Sequence, residues 1–414
     1  MDFVLRNARV ATSGDFVDIG VENGRIAAIT PNLDAAAPEY DAAGRLAFPG
    51  FVDCHIHLDK ACILDRCAIC EGTLAEAVRE TARAKAAFTE EDVYARAAGL
   101  VEQAILHGTM LLRTFVEVDP RAGLRSLAAI RRIKHDYAFA IDIEICAFAQ
   151  EGLTQEPETE LLLSQALSAG ADLVGGCPYT DPDPAEHVRR IFDLAERFGT
   201  LVDFHVDFDL DPEGSALPHI MAETERRGFG GRVSVGHATK LSAMEPEAVA
   251  AVARRLAATG IAVTVLPATD LFLTGRDARR LVPRGVAPAH LLRQAGVTAT
   301  IATNNVLNPF TPFGDASLIR MANLYANVAQ LARDEEMEAV FAMVSADAAR
   351  LMARDYGLRI GAPADFVLLD VATPAAAVRE IATPIASWRG GRLVMERPAG
   401  RIFHPCDGNA GQVP

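Results

Sequence analysis

From residue 51 onward the sequence alternates between short apolar runs and amphipathic segments. The amphipathic segments, such as Glu90–Leu106 and Pro184–Phe198, carry apolar residues at three- and four-residue intervals, which is typical of helices. Eight apolar runs are separated in this way: Phe51–His57, Met110–Val118, Phe139–Phe148, Asp172–Cys177, Leu201–Asp207, Arg232–His237, Ile261–Pro267 and Val297–Asn304. Eight strand–helix units predict a (β/α)8 TIM barrel, an α/β fold whose functional site lies at the carboxyl ends of the strands.

The two ends of the chain have a different pattern. Residues 1–49 contain short alternating strands and turns, and the segments Ala362–Asp370 and Ile385–Met395 also have the character of strands. Neither terminal piece could bury enough apolar surface alone. We therefore expect residues 1–49 and 357–414 to form one small β-sandwich domain beside a barrel of residues 50–356.

Composition and charge exclude several classes of partner. The formal net charge of −15 argues against binding to nucleic acid or to an anionic membrane. No apolar run reaches membrane-spanning length, and the first ten residues lack the order of a signal peptide. The seven cysteines are scattered, and the CxxC pair Cys67 and Cys70 is not followed by a second pair. Reduced thiols and a cytoplasmic location are therefore expected.

Histidines follow several of the predicted strands at the same relative position. His55 and His57 stand two residues apart, so their side chains leave the first strand on one face. His205 lies at the end of the fifth strand and His237 at the end of the sixth. In a barrel these strand ends converge on one mouth, and four histidines that meet there predict a metal site.

Several motifs along the whole chain point to one family. They are Pro49–Asp59 (PGFVDCHIHLD), Gly108–Thr114 (GTMLLRT), Phe148–Gly152 (FAQEG), Gly175–Pro178 (GGCP), Gly231–His237 (GRVSVGH) and Asn308–Gly314 (NPFTPFG). In these motifs the sequence resembles the metal-dependent amidohydrolase superfamily. The resemblance is strongest to the branch that holds cytosine deaminase and N-isopropylammelide amidohydrolase. It implies a small-molecule substrate and, because such hydrolases are often oligomers, a homo-oligomer.

The resemblance also assigns roles to individual residues. His55, His57 and His205 match three histidine ligands of a single divalent metal ion, Zn²⁺ or Fe²⁺. His237 matches a histidine that polarises or orients the metal-bound water, and Gln150 matches a glutamine that hydrogen-bonds the ring edge of the substrate. The end of the fourth strand lacks the lysine or carboxylate that bridges two metals in binuclear members, so a mononuclear site is implied.

The expected chemistry needs a nucleophile and a proton carrier. A divalent ion lowers the pKa of its bound water toward neutrality and so supplies the nucleophile. Attack on a ring carbon then requires a group that moves a proton to the leaving nitrogen.

Three positions depart from the family pattern. Asn304 stands where the family has an aspartate that serves as metal ligand and proton acceptor. An amide oxygen can bind a metal but cannot accept a proton at neutral pH. Phe208 replaces a glutamate, and Phe115 removes a further polar group from the mouth. The usual acid–base carboxylates are therefore missing, and cytosine itself is not expected to be the substrate.

Other residues near the strand ends are candidates for the missing functions. Asp207 shares the face of His205 and falls where the ammelide enzyme has a functional histidine, so it is the preferred proton shuttle; orienting a ligand is the alternative role. Lys60 either lines the mouth or lies in a solvated loop. Asn305 either donates a hydrogen bond to a substrate carbonyl or caps a loop. The remaining histidines are predicted to lie at the surface: His107, His135, His187, His219, His290 and His404.

These observations predict a metal-dependent hydrolase that cleaves a C–N bond in a small nitrogen heterocycle or related compound, by deamination or amide hydrolysis. In this interpretation Asn304 is a metal ligand together with the three histidines, and the substrate is bound by Gln150, Lys60 and Asn305. The alternative is a non-catalytic ligand-binding protein that keeps the barrel but has lost the acid–base carboxylates. Retention of a metal ion would distinguish the two.

Overall fold

The computed structural model describes residues 1–11, 13–398 and 400–402. The amino-terminal segment forms five strands: β1 (Phe3–Val10), β2 (Ser13–Glu22), β3 (Arg25–Thr30), β4 (Glu39–Asp41) and β5 (Leu46–Phe48). β1, β2 and β3 are antiparallel neighbours. Along its other edge β1 pairs first with β4 and then with β5, both in parallel. One edge of β1 therefore pairs with two different strands in succession.

Eight parallel strands form the centre of the molecule. They are β6 (Phe51–Ile56), β7 (Thr109–Glu117), β8 (Asp142–Ala149), β9 (Leu173–Gly176), β10 (Leu201–Val206), β11 (Val233–His237), β12 (Ile261–Val265) and β13 (Ala299–Ile301). They follow one another in chain order around the sheet. Each of the eight predicted strands is present, and the predicted fold class is confirmed.

The barrel is closed by contacts between its first and last strands. A parallel bridge joins Ile56 to Asn304. Beside it the main-chain N–H of His57 donates to the carbonyl oxygen of Asn304 at 2.8 Å, and the N–H of Asn304 donates to the carbonyl oxygen of His55 at 2.8 Å. The two histidines and Asn304 are thus fixed to one another through the backbone.

Helices surround the barrel and cover its strands. They are α1 (Leu74–Lys85), α2 (Glu90–Leu106), α3 (Arg125–Asp136), α4 (Pro157–Ser168), α5 (Pro184–Phe198), α6 (Leu217–Arg227), α7 (Pro246–Thr259), α8 (Pro267–Leu273), α9 (Ala289–Gln294), α10 (Leu318–Ala329), α11 (Asp334–Met343) and α12 (Ala346–Leu351). Short 3-10 turns lie at Leu64–Arg66, Pro178–Thr180 and Thr239–Ala243. Typical capping residues begin and end several helices: Asp183 accepts a hydrogen bond at the start of α5, and Gly199 ends it with a left-handed backbone.

The carboxyl-terminal segment returns to the small sheet. It contains β14 (Phe366–Leu369), α13 (Pro374–Glu380), β15 (Pro384–Arg389) and β16 (Arg392–Glu396). β14 pairs with β5, so strands from both ends of the chain form one sheet. Its core contains Ile19, Phe366 and Trp388. A small sheet built from both termini is therefore present, as predicted, whereas the division of the chain at residues 49 and 357 stays a prediction. His404 and Cys406 lie outside the described residues.

The interior of the barrel below the histidines carries a buried ionic cluster. Arg113 is almost completely buried. Its Nε lies 2.7 Å from Glu144 Oε2 and its Nη1 lies 2.8 Å from Asp203 Oδ2. These contacts join β7, β8 and β10 and fix the strands that carry the site. Among the described residues, no helix combines the length and the apolar character that crossing a membrane would require.

Candidate metal centre and active site

Three histidine side chains converge at the mouth of the barrel. His55 Nε2 lies 3.0 Å from His205 Nε2, and His57 Nε2 lies 3.1 Å from the same atom. All three rings are buried. Burial lowers the pKa of each imidazole well below its ordinary value, so the three are neutral. We call His55, His57 and His205 the histidine cluster; its donor set fits a divalent metal ion such as Zn²⁺.

Asn304 lies beside the histidine cluster and has one free acceptor. Its Nδ2 donates to Thr269 Oγ1 at 3.0 Å. Its Oδ1 is buried and has no hydrogen-bond partner among the described residues. A buried polar atom without a partner is costly, and a bound cation would satisfy it. The backbone of Asn304 is left-handed, with φ of 61°, so the side chain leaves the regular alternation of the strand.

His237 ends β11 and is held by a carboxylate. Its Nδ1 lies 2.7 Å from Asp270 Oδ1, and its ring packs edge-on against Phe208 with centroids 4.2 Å apart. Asp270 is completely buried in α8. Sequence reasoning missed this residue. The one available signal was an aspartate within the otherwise largely apolar segment Pro267–Leu273.

Lys60 and Gln150 meet on another wall of the site. Lys60 Nζ lies 2.7 Å from Glu117 Oε1 and 3.3 Å from Gln150 Oε1, and it stands 4.3 Å from the centre of the Phe310 ring. Lys60 is buried rather than solvated. The sequence did not single out Glu117, which supplies the counter-charge for Lys60.

A second group of ionisable side chains lies behind Lys60. Lys85 Nζ lies 2.7 Å from Glu117 Oε2, 2.5 Å from Asp119 Oδ2 and 2.5 Å from Glu151 Oε1. We call the three carboxylates around Lys85 the acidic cluster. They are close enough together to hold a metal ion, but the ammonium group already bonds to all three.

Asp207 and Asn305 make contacts within loops. Asp207 Oδ2 accepts from Ser215 Oγ at 2.5 Å, and its Oδ1 accepts from the main-chain N–H of Ala216 at 2.9 Å. β10 ends at Val206 and Asp207 has φ of 54°, so strand alternation does not extend to it. Asn305 Oδ1 accepts from Asn308 Nδ2 at 2.8 Å. The roles predicted for Asp207 and Asn305 stay predictions.

The cavity beside the histidines is small and closed. Its walls are His57, Lys60, Leu74, Gln150, Tyr179, His205, Phe208, His237, Thr269, Asn305 and Phe310. Its volume of about 10 Å³ leaves room for roughly one water molecule. Apolar packing among Leu74, Phe208 and Phe310 covers it. These side chains must move before a ring compound can enter.

A larger cavity lies on the other side of Asn305. Its volume is about 530 Å³. Among the described residues its walls include Leu271, Phe272 and Phe313 but none of the four histidines. We place the chemistry in the small cavity, since the converging donor atoms and the buried ion pair lie there.

One of the histidines predicted to lie at the surface is instead completely buried. His187 Nδ1 lies 3.0 Å from Asp181 Oδ2. The prediction for this residue was wrong because the apolar face of α5 includes position 187 and turns it toward the barrel. There His187 Nε2 packs against Gly176, where a Cβ atom would lie only 2.1 Å away. His135 and His219 are exposed, and His107 and His290 are half-buried. His404 lies outside the described part of the chain.

Comparisons with known proteins identify the family of this chain. The sequence profile described as "Amidohydrolase family" matches residues 39–143 and 138–395. The chain is 26% identical over 412 residues to N-isopropylammelide isopropyl amidohydrolase of Pseudomonas sp. strain ADP, covering 95% of this chain and 97% of that protein.

Two solved structures are similar over almost the whole chain. The structure of 5-methylcytosine deaminase from Klebsiella pneumoniae with bound 5-fluorocytosine has a TM-score of 0.92 and 30% identity, covering 97% of this chain and 99% of that one. N-isopropylammelide isopropylaminohydrolase from Burkholderia multivorans has a TM-score of 0.84 and 31% identity, covering 96% and 99%.

Proposed function

We propose that this protein releases ammonia or an alkylamine from a ring carbon of its substrate. The premise is that the chain belongs to the amidohydrolase family and is a metal-dependent hydrolase of C–N bonds in small nitrogen heterocycles. The observation that carries the proposal is the convergence of His55, His57 and His205 beside a wall formed by Lys60 and Gln150. The relatives described above support amine release over the opening of a cyclic amide.

The metal in this proposal is a single ion, Zn²⁺ or Fe²⁺, held by the histidine cluster with Asn304 Oδ1 as a fourth ligand. When bound, the ion lowers the pKa of a coordinated water toward neutrality. Because Asn304 is neutral, the site keeps one more positive charge than it would have with an aspartate there. That charge favours a substrate that is anionic or gains negative charge during the reaction.

Lys60 and Gln150 recognise the ring. An ammonium group has three N–H donors, and Lys60 directs one to Glu117 and one to Gln150. The third is available for a ring carbonyl or a deprotonated ring oxygen. The Gln150 amide faces the same space, and Asn305 borders it from the loop after β13. We therefore propose that the substrate ring carries an oxo group beside the amine that is lost.

Two groups are candidates for moving the proton. His237 borders the cavity directly. Asp207 is the alternative proposed from the sequence, although both of its carboxylate oxygens hold the loop at residues 215 and 216. Variants of the two residues, assayed for turnover with bound metal retained, separate the roles.

The test is metal analysis followed by a substrate panel. We expect about one Zn or Fe per chain, and release of amine from oxo-bearing amino- or alkylamino-triazines, pyrimidines or pteridines. A chelated and reloaded sample is the control. Opening of a cyclic amide without amine release from any ring amine would overturn the proposal, as would a metal-loaded protein that turns over none of these compounds. Homo-oligomerisation and a cytoplasmic location stay predictions from the sequence, the first of which light scattering can test.

A further inference from the structure

The cavity wall contains no carboxylate in the part of the chain that the structure describes. Its ionisable side chains are His57, Lys60, Tyr179, His205 and His237. His57 and His205 belong to the histidine cluster, and Lys60 is paired with Glu117. His237 is therefore the wall residue best suited to pass a proton between water and a leaving nitrogen.

Directly behind His237 lies the carboxylate of Asp270. Asp270 Oδ1 lies 2.7 Å from His237 Nδ1, and Asp270 Oδ2 accepts a hydrogen bond from the main-chain N–H of Leu266 at 3.2 Å. Burial raises the pKa of Asp270, whereas His237 beside it favours the ionised form. As an ionised carboxylate, Asp270 accepts at both oxygens, and Nδ1 of His237 then carries the hydrogen. His237 Nε2 is then the free acceptor.

We infer that Asp270 is the positioning residue of the reaction, holding His237 in the Nδ1–H tautomer and stabilising the imidazolium that forms when Nε2 takes a proton. The inference rests on the proposed function. As the water oxygen bonds to the ring carbon, one water proton passes to His237 Nε2. As the C–N bond breaks, the same proton passes to the leaving nitrogen, and neutral His237 is restored. Water and the ring amine give the hydroxylated ring and the free amine.

The neighbouring residue of α8 holds a different group. Thr269 Oγ1 accepts from Asn304 Nδ2 at 3.0 Å and lies 2.6 Å from Thr311 Oγ1. Thr269 therefore fixes the amide of Asn304 and Asp270 fixes the imidazole of His237. Two adjacent residues after β12 therefore orient the side chains of His237 and Asn304, which gives this short helix a role beyond covering the barrel.

The molecule offers a matched control for Asp270. His187 and Asp181 form a second buried pair with the same chemistry, 3.0 Å apart. His187 Nε2 packs against Gly176 instead of lining the small cavity. Loss of the carboxylate should cost stability at both pairs but should slow turnover only at Asp270.

The experiment compares Asp270→Asn with Asp181→Asn in zinc-loaded protein. In Asp270→Asn, the amide oxygen is expected to keep the hydrogen bond from the Leu266 N–H, so the amide NH₂ faces His237 Nδ1 and moves the ring hydrogen to Nε2. Nitrogen NMR of labelled histidine should show this change of tautomer. We expect kcat to fall about 10²–10⁴-fold, with KM within about threefold and zinc content unchanged. Asp181→Asn should keep both kcat and the tautomer of His237.

Each other outcome contradicts the inference. An Asp270→Asn protein that is folded, holds zinc and keeps kcat within about threefold would overturn it, and so would an unchanged His237 tautomer. Loss of zinc would show that Asp270 maintains the metal centre instead. If the wild-type protein released no amine from any ring compound, the proposed function would fail, while the tautomer measurement would still decide whether Asp270 positions His237.

Discussion

The histidine cluster and the acidic cluster lie close together at the barrel mouth, yet the polar atoms of the two clusters differ in the partners that the protein provides for them. In the acidic cluster three carboxylates form ion pairs with the ammonium group of Lys85, and Asp119 and Glu151 also lie 3.5 Å from the guanidinium group of Arg121. In the histidine cluster three neutral imidazole nitrogens face one another, and the nearby Oδ1 of Asn304 has no partner among the described residues. Close donor atoms therefore do not identify a metal site by themselves. Within the part of the chain that the structure describes, no lysine or arginine bonds to the imidazole nitrogens of the histidine cluster, and this distinguishes it from the acidic cluster.

The largest expected effect comes from removing one imidazole from the histidine cluster. In His57→Asn the metal loses one of three nitrogen ligands, so we expect the metal content to fall from about one ion per chain to almost none. Amine release should fall below detection. Elemental analysis and an activity assay on the same sample measure both. His219→Asn, at an exposed histidine, is the control and should keep metal and activity. Full metal occupancy in His57→Asn would show that the histidine cluster is not the metal site, and its contrast with the acidic cluster would no longer hold.

The second prediction removes the internal cation from the acidic cluster. Lys85→Met leaves three largely buried carboxylates without their ammonium partner. Breaking a buried ion pair in this way costs about 3–5 kcal/mol in the free energy of unfolding, which denaturant titration measures. Lys134→Met is the matched control, because its pair with Asp172 is partly exposed and should contribute less than about 1 kcal/mol.

The Lys85 variant also tests why the acidic cluster does not bind a metal ion whereas the histidine cluster is proposed to bind one. If Lys85→Met takes up a second divalent ion and recovers its stability, a lysine alone keeps the acidic cluster from binding metal. A loss below about 1 kcal/mol without metal would mean that Lys85 is not the cation that balances these carboxylates.

The third prediction makes the clusters more alike by adding a carboxylate to the histidine cluster. Asn304→Asp should keep the metal, since the Thr269 hydroxyl can donate to the new carboxylate in place of accepting from the amide. The variant gains a proton acceptor beside the metal ligands. We expect turnover of neutral aminopyrimidines such as cytosine to rise at least about tenfold, measured as initial rates of ammonia release. Asn305→Asp places the same charge one residue later and should not produce this gain. Equal rates in the wild type and Asn304→Asp would count against a special role for position 304.

The histidine cluster could be predicted from the sequence, whereas the acidic cluster could not. Strand alternation and the convergence of strand ends are local and regular, and together they place His55, His57 and His205. The contacts of Lys85 join α1 to residues on β7 and in the loops after β7 and β8, and no periodicity links those segments. The contact between His237 and Asp270 is equally distant in sequence. Asp207 shows the limit of alternation, because its left-handed backbone ends the strand face before its side chain reaches the site.

The smallest effect expected concerns the charge balance within the acidic cluster. Burial and the neighbouring Glu117 raise the pKa of Glu151 from 4.5 to about 7. Between these two pH values the folded protein keeps a proton that the unfolded chain has lost. The contribution of Glu151 to the free energy of unfolding should therefore fall as pH rises through this window, by about 1 kcal/mol after allowance for the partial exposure of Glu151. Denaturant titrations at pH 5 and pH 7.5 measure the difference.

Glu151→Gln isolates this contribution, because a glutamine cannot titrate. The decline in stability between the two pH values should be about 1 kcal/mol smaller in this variant than in the wild type, because Asp53 and Asp59, whose pKa values are also raised, still contribute. Glu158→Gln, at an exposed carboxylate, should leave the decline unchanged. Lys60, Lys85 and Arg121 pair with the three carboxylates of the acidic cluster, and a proton on Glu151 lowers its negative charge further. An identical pH dependence in wild type and Glu151→Gln would mean that all three carboxylates are ionised. The side chains of Lys60, Lys85 and Arg121 would then neutralise the three carboxylates without a bound proton, and the acidic cluster would differ from the histidine cluster through its own cations alone.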